Sequence, residues 1–273
     1  MILFIIPILV FLLAFFVLPF GVMLYQSLFL SPLIAPENSE PTLANYIKLF
    51  GDLFYLKIVL QTLALGAAVT LLALVIGYPV AYVLARARSR QLLIFLIISP
   101  LVVSVVIRSY GWMVLLGRAG TVNTLRQTTG IIEQPLALMY NWFGVTVALT
   151  HVLLPYMILA LASVIEGIPE SLEDTAAVLG AGAWARFRYV LFPLSLEGVG
   201  AGVTLVFMLA IGSFVSVLLL GGSDTLILPL LIYQQVLLIN NNFAAALGTA
   251  LLAISLILLY VQARAFGTGA FAS

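Results

Sequence analysis

Six long apolar runs dominate this sequence, and they leave few folds open to the chain. A helix needs about 20 apolar residues to cross the hydrocarbon core of a bilayer. Runs of about this length or longer cover residues 2–28, 56–84, 92–116, 142–165, 198–220 and 243–261. Only 8% of the 273 residues are charged, against about 25% in a typical soluble domain. The sequence therefore predicts an all-α polytopic membrane protein with six transmembrane helices, organised as a single domain over residues 1–273.

The first apolar run begins at the second residue. A cleaved signal peptide starts with basic residues and has an apolar core of about 7–15 residues. Residues 2–28 form a longer run without a basic start, so we expect a retained membrane helix there. The missing basic flank leaves open whether a short native tail precedes residue 1.

Basic residues predict the orientation of the six helices. Short loops rich in Lys and Arg stay cytoplasmic, and six spans place both termini on one side of the membrane. That side then carries the clustered residues Arg86, Arg88, Arg90, Arg186, Arg188 and Arg264. The other side carries the dispersed residues Lys48, Lys57, Arg118 and Arg126. We therefore predict that both termini and the polar stretch 166–197 are cytoplasmic.

The polar stretch 166–197, called the polar segment below, is predicted to form two short helices on the cytoplasmic face. Pro169 suits the first turn of a helix, where its missing N–H costs little. Gly180 can end that helix in a left-handed conformation. A second amphipathic run covers residues 183–191, and Pro193 is expected to stop it. Two such helices would serve as a docking device.

Either a soluble protein or the lipid headgroups could lie against these helices. The first helix has an apolar face at positions i, i+4 and i+7, formed by Leu172, Ala176 and Leu179. Its acidic residues lie towards its N-terminus, where they favour the helix dipole; they are Glu170, Glu173 and Asp174. An interfacial helix on lipid would explain Trp184 and Phe187. Acidic residues do not seek anionic lipid, so we favour docking to a soluble partner.

The polar segment resembles the cytoplasmic EAA loop of the permeases of ABC importers. That family pattern is Glu-Ala-Ala, a Gly four residues after the last Ala, and Leu-Pro further on. The corresponding residues here are Asp174, Thr175 and Ala176, then Gly180, then Phe192 and Pro193. Asp, Thr and Phe depart from the family's residues, and the shorter Asp reaches less far towards an ATPase than Glu does.

Other stretches resemble one branch of that family, the permeases of spermidine/putrescine-type importers. They are Gly77-Tyr78-Pro79 with Ala81-Tyr82, IRSYGW (107–112), LLPYM (153–157) and GGSDTLILPLLIYQQ (221–235). The resemblance covers roughly residues 56–259, which is most of the chain.

The resemblance implies a type I ABC-importer permease fold in the bacterial inner membrane, with cytoplasmic coupling helices at about 166–195. It also implies the partners: two copies of an ATP-binding subunit, a second permease subunit that is a different chain, and an external substrate-binding protein. The residues expected to couple the chain to the ATPase are Pro169, Leu172, Glu173, Asp174, Thr175, Ala176, Leu179, Gly180 and Pro193.

The sequence contains no ATP site of its own. A phosphate-binding loop ends in Gly-Lys-Ser/Thr, whereas the two lysines, Lys48 and Lys57, follow Ile47 and Leu56. ATP and Mg²⁺ are therefore expected on a separate ATPase subunit, and no cofactor is expected in this chain. The absence of cysteine and the single histidine, His151, argue against a metal site, and a net charge of +1 gives no reason to expect nucleic acid.

Five residues are candidates for the solute path, namely Arg108, Tyr110, Trp112, Asp224 and Tyr233. Arg108 lies inside an apolar run, and an ionisable residue within a membrane is a functional candidate by default. We favour the alternative that Arg108 snorkels to the outer interface within an aromatic belt, and its charge would repel a polyamine. His151 is expected to be packed and hydrogen-bonded rather than to relay protons.

Two other classes of protein fit the sequence less well. An autonomous secondary transporter or channel, the alternative function, is expected to show inverted repeats, midplane charges or broken Gly-rich helices. The two halves show no clear repeat, and charge within the runs is scarce. A membrane enzyme needs a nucleophile–base pair or metal ligands. We therefore predict a non-enzymatic permease subunit, with spermidine, putrescine, a modified amino acid and an aminophosphonate as possible solutes.

Overall fold

The computed structural model describes residues 8, 10, 11, 13–30, 40–130 and 134–265. All regular structure in these ranges is helical. This is expected in a membrane, because lipid offers no hydrogen-bond partners and a helix satisfies its backbone N–H and C=O groups internally. The helices are α1 (Leu13–Ser27), α2 (Ala44–Gly51), α3 (Leu53–Arg86), α4 (Arg90–Val102), α5 (Val105–Leu116), α6 (Thr121–Thr128), α7 (Trp142–Glu166), α8 (Glu170–Val178), α9 (Ala183–Leu194), α10 (Leu196–Ile211), α11 (Val215–Leu220), α12 (Leu228–Leu237) and α13 (Asn241–Ala265).

Three of these helices, α3, α7 and α13, are long and apolar enough to cross a membrane. Two bent pairs pass the same test together: Arg90–Val102 with Val105–Thr128, bent by 94°, and Ala183–Leu194 with Leu196–Ile211, bent by 68°. The described residues thus contain three such helices, or up to five if each pair is one span. The predicted all-α class is confirmed. The number six stays a prediction, because residues 2–7, 9 and 12 of the first run lie outside the described residues.

The predicted span 92–116 contains two helices, α4 and α5, rather than one continuous helix. Helix α4 ends at Val102, two residues after Pro100, whose ring and missing N–H disrupt the helical hydrogen bonds. Val103 is extended, with φ −79° and ψ 131°. Ser104 then starts α5 by accepting a hydrogen bond from the amide of Val106 on its side-chain oxygen, at 3.3 Å.

The second helix of the polar segment, α9, ends at Leu194, one residue after Pro193, which was predicted to stop it. Residues Phe187–Leu191 form a wider π-helical turn, in which the amide of Phe192 donates to the carbonyl of Phe187. A wider turn relieves the clash between a proline ring and the carbonyl of the preceding turn. The helix direction changes at Ser195, the N-cap of α10.

The described chain divides into two compact units. The first comprises the described residues within 1–61 together with 227–257, and the second the described residues within 62–226 together with 258–265. In the first unit, the ammonium group of Lys48 lies 4.6 Å from the ring centre of Phe243 and 5.6 Å from that of Tyr55. Asn45 donates to the backbone carbonyls of Ser27 and Phe29 at 3.0 and 2.8 Å. These contacts join α1, α2, α3 and α13 within that unit.

The second unit is built around α7, which packs closely against α10. A Cβ atom added to Gly198 would lie 3.0 Å from Cβ of Val164 and 3.3 Å from the carbonyl oxygen of Ala160. One added to Gly202 would lie 2.6 Å from Sδ of Met157. Small residues four positions apart let two membrane helices approach closely, so these glycines set the distance between α7 and α10.

We expect Gly198→Leu to lower the stability of this unit by about 1–3 kcal/mol, because a larger side chain overpacks the α7–α10 contact. The thermal unfolding midpoint of the purified protein in detergent would measure the loss. Ala201→Leu is the matched control on α10, since Ala201 is exposed. Equal shifts in the two variants would contradict the assigned packing role.

Candidate functional site

The first helix of the polar segment, α8, begins one residue later than predicted. Pro169 is its N-cap, with φ −60° and ψ 129°, and Glu170 is the first helical residue. Glu170 and Glu173 occupy the first turn, where negative charge interacts favourably with the helix dipole. Proline therefore fixes the entry of the chain into α8 from just outside the helix.

The end of α8 agrees with the predicted role of Gly180. This residue has φ +86°, in the left-handed region that favours glycine. Its amide donates to the carbonyl of Ala177 at 3.0 Å, and the amide of Ala181 donates to the carbonyl of Ala176 at 2.9 Å. This pair of bonds is the Schellman motif, which turns the chain sharply from α8 towards α9.

The inner face of α8 is held by a buried carboxylate. Glu173 is 9% exposed, and its Oε1 lies 2.9 Å from Nη2 of Arg86. The hydroxyl of Tyr82 donates to its Oε2 at 3.0 Å. Arg86 also donates to the carbonyl of Ile168 at 3.0 Å. A buried carboxylate needs such partners, so Glu173 ties α8 to α3, whereas the neighbouring Asp174 is exposed.

The second helix of the polar segment is held by the same helix, α3. The hydroxyls of Tyr78 and Ser195 lie 2.6 Å apart and share a buried hydrogen bond. The ring of Tyr78 lies edge-on to Phe187, with centroids 5.2 Å apart, and 6.3 Å from the ring of Phe192. Sequence reasoning treated Arg86 only as a marker of orientation and did not consider Ser195 or this role of Tyr78.

The outer face of the polar segment exposes large apolar side chains. On α8, Leu172 is 44% exposed, Val178 88% and Leu179 82%. On α9, Trp184 and Tyr189 are exposed too. Thr175 is also exposed, but its hydroxyl donates to the carbonyl of Ser171 at 2.7 Å. An exposed apolar surface rimmed by polar residues marks an interaction site. The bonds of Glu173 and Ser195 to α3 hold this surface in place.

No protein-family model matches the chain. The spermidine/putrescine transport system permease protein PotB of Haemophilus influenzae is 35% identical over 227 residues, which is 82% of this chain and 79% of the relative. The chain belongs to the ABC-importer permeases of this spermidine/putrescine type. The inner membrane ABC transporter permease protein YdcU of Escherichia coli is 32% identical over 238 residues, covering 81% of this permease and 74% of the relative.

The fold of the permease is that of solved ABC importers. A crystal structure of a bacterial ABC transporter involved in the import of the acidic polysaccharide alginate matches with a TM-score of 0.76 and 17% identity, over 96% of this chain and 93% of the other. A structure of the alginate transporter in complex with an alginate pentasaccharide-bound periplasmic protein matches with a TM-score of 0.74 and 16% identity, over 96% and 91%. The relatives are transport permeases, and together with the apolar helices they identify this chain as a multi-pass permease of the inner membrane.

Two of the predicted solute-path residues of the permease, Arg108 and Trp112, contact α7. Nη1 of Arg108 donates to the carbonyl of Val152 on α7 at 3.3 Å. Nε1 of Trp112 donates to Nδ1 of His151 at 3.3 Å, with the two rings edge-on at 5.5 Å. These contacts join α5 to α7. His151 makes a hydrogen bond as predicted, although it is exposed.

The other three solute-path candidates lie in different parts of the described chain. Tyr110 is 54% exposed, Asp224 is exposed in the turn before α12, and Tyr233 is on α12 in the first unit. The role of all five in the solute path stays a prediction.

Proposed function

We propose that this permease forms half of the translocation path of an ATP-driven importer, paired with a second, different permease subunit. Its solute is small and polar: a polyamine such as spermidine or putrescine, or a related amino-acid-like or aminophosphonate compound. The names of the relatives support the solute class. A periplasmic protein bound to a transporter of the same fold supports delivery by an external binding protein.

The observation that supports the proposal most strongly is the exposed apolar face of α8, whose opposite face is held by the buried carboxylate of Glu173. Such a surface fits a groove on a cytoplasmic ATP-binding subunit, present in two copies, which binds the ATP and Mg²⁺. The sequence lacks a Gly-Lys-Ser/Thr loop of its own. In this arrangement the polar segment and both termini are cytoplasmic, and α8 is the coupling helix.

In the proposed mechanism, closure of the ATPase pair displaces α8 and α9. Because Glu173 and Ser195 bond to side chains of α3, this displacement acts on a helix that is long enough to cross the membrane. Movement of α3 then switches the path between outward and inward access. Hydrolysis of ATP takes place entirely on the partner.

The carboxylates of the permease suggest where the solute is selected. Recognition of a cation in a low-dielectric site needs carboxylates or aromatic faces. Among the described residues, Glu166 and Glu197 lie at helix ends and Asp224 in a turn, and none lies in the middle of a membrane helix. Selectivity for an amine is therefore assigned to the binding protein and the second permease subunit.

The test is affinity purification of the permease from its native membrane, followed by mass spectrometry and reconstitution. We expect an ATPase subunit to co-purify and to be lost when Asp174 and Gly180 are both substituted. We also expect uptake into liposomes to need ATP and the binding protein. A chain that purifies alone and carries solute without ATP would instead establish an autonomous transporter or channel.

A further inference from the structure

One face of α3 carries three polar side chains at intervals of four residues, Tyr78, Tyr82 and Arg86. Residues spaced i, i+4 and i+8 lie above one another on a helix. Each side chain of this row contacts the polar segment: Tyr78 bonds to Ser195, while Tyr82 and Arg86 bond to Glu173. The row therefore holds the polar segment at two points.

The ion pair in this row is largely shielded from water. The side chains of Arg86 and Glu173 are 15% and 11% exposed. Arg86 also lies 3.8 Å from the carboxylate of Glu170 and donates to the carbonyl of Ile168. Removing one partner of a shielded pair leaves the other charge uncompensated. The geometry of α8 relative to α3 therefore depends on both charges.

A second ion pair in the same region provides a contrast. Arg90 pairs with Glu166 at the end of α7, and these side chains are 45% and 43% exposed. Exposed pairs contribute little, because water screens them. The two pairs have the same chemistry, so they separate the effect of burial from the effect of charge.

We propose that the row Tyr78, Tyr82 and Arg86 makes α8 and the cytoplasmic end of α3 move as one body. Arg86 and Glu173 are the positioning residues of this transmission. The inference rests on the proposed function, since it assigns the step between displacement of α8 and opening of the path. It predicts that loss of the Arg86–Glu173 pair uncouples ATP hydrolysis from uptake.

The first experiment measures uptake per ATP hydrolysed, with the permease reconstituted alongside its ATPase, second permease subunit and binding protein. We expect Glu173→Gln and Arg86→Gln each to lower this ratio about three- to tenfold, the size of effect typical of residues along a coupling route. The exchange Arg86→Glu with Glu173→Arg should restore a large part of it. Arg90→Gln is the matched control and should leave the ratio unchanged.

Failure of the inference and failure of the proposed function give different results. If the wild-type complex shows no ATP-dependent uptake, the proposed function is wrong. If wild-type uptake is normal but Glu173→Gln behaves like Arg90→Gln, only the transmission by the row is wrong. If Glu173→Gln no longer binds the ATPase subunit, the double variant Arg86→Glu with Glu173→Arg decides between the explanations. Binding restored in the double variant would support the role of the row, and binding still lost would overturn it.

The second experiment needs no disruption of the pair. The chain has no cysteine, so spin labels can be placed at Val83→Cys on α3 and Ser171→Cys on α8, both of which are exposed. We expect one narrow distance distribution that is the same without nucleotide and with trapped ATP. A shift of several ångströms (on the order of one helical turn) between the two states would show that α3 and α8 move separately.

Discussion

Gly180→Val is expected to leave the permease inserted in the membrane but to lower uptake at least about tenfold. A left-handed backbone costs an ordinary L-residue about 1–2 kcal/mol, and a β-branched residue is a genuine outlier there. Space is not the obstacle, because a Cβ at this position meets nothing within 4 Å. The strain falls on the turn that sets the angle between α8 and α9. Uptake and ATPase rate, measured on the same proteoliposomes, would show the loss of coupling.

Gly182→Val provides the matched control for this experiment. Gly182 is two residues away, has φ −66° and ψ 169°, and also has open space around an added Cβ. Valine accepts that extended backbone readily, so uptake should stay close to wild type. Gly180→Asn should give an intermediate result, because Asn tolerates the left-handed region. Unchanged uptake in Gly180→Val would refute the assigned role.

Leu179→Asp is expected to abolish ATP-dependent uptake, because the permease would no longer hold its ATPase subunit. Leu179 is 82% exposed, so the substitution costs the free permease little. In the complex it places a charge in an apolar contact, where central residues contribute about 2 kcal/mol or more. Co-purification of the ATPase subunit should therefore fall at least about tenfold.

The conservative variant Leu179→Met separates apolar contact from side-chain shape. Methionine keeps the exposed apolar surface and adapts to irregular contacts, so binding of the ATPase subunit should persist. If Leu179→Asp retained the subunit and normal uptake, α8 would not dock through this face. The interfacial arrangement on lipid headgroups would then describe the polar segment better.

The sequence predicted most helices because lipid makes their apolar length visible, but the prolines alone did not show which helices break and which continue. Prolines are an ambiguous signal inside membrane helices. Pro79 and Pro155 lie within the continuous helices α3 and α7, while Pro100 precedes the end of α4. Whether neighbouring groups satisfy the freed carbonyls depends on tertiary packing, which single-sequence patterns do not contain.

The same distinction applies to the polar segment. Gly180 was predictable because its conformation depends on a few neighbouring residues. The partner of Glu173 was not, because Arg86 is 87 positions away in the sequence. Nothing in the polar segment distinguishes Glu173 from Asp174, yet one is buried and the other exposed. The row of polar residues Tyr78, Tyr82 and Arg86 on an otherwise apolar helix is the sequence feature that could have indicated a contact with the polar segment.

The break between α4 and α5 has a consequence for the barrier itself. Helix α4 has 13 residues and is therefore about 20 Å long, shorter than the roughly 30 Å of hydrocarbon it enters. On the predicted topology, which puts Arg90 at the cytoplasmic surface, the non-helical backbone of Val103 and Ser104 would lie at the depth of the lipid tails. Such backbone is tolerated there only beside protein or water. Both residues are exposed in this chain, so a neighbouring subunit or water would have to satisfy their backbone groups in the assembled transporter.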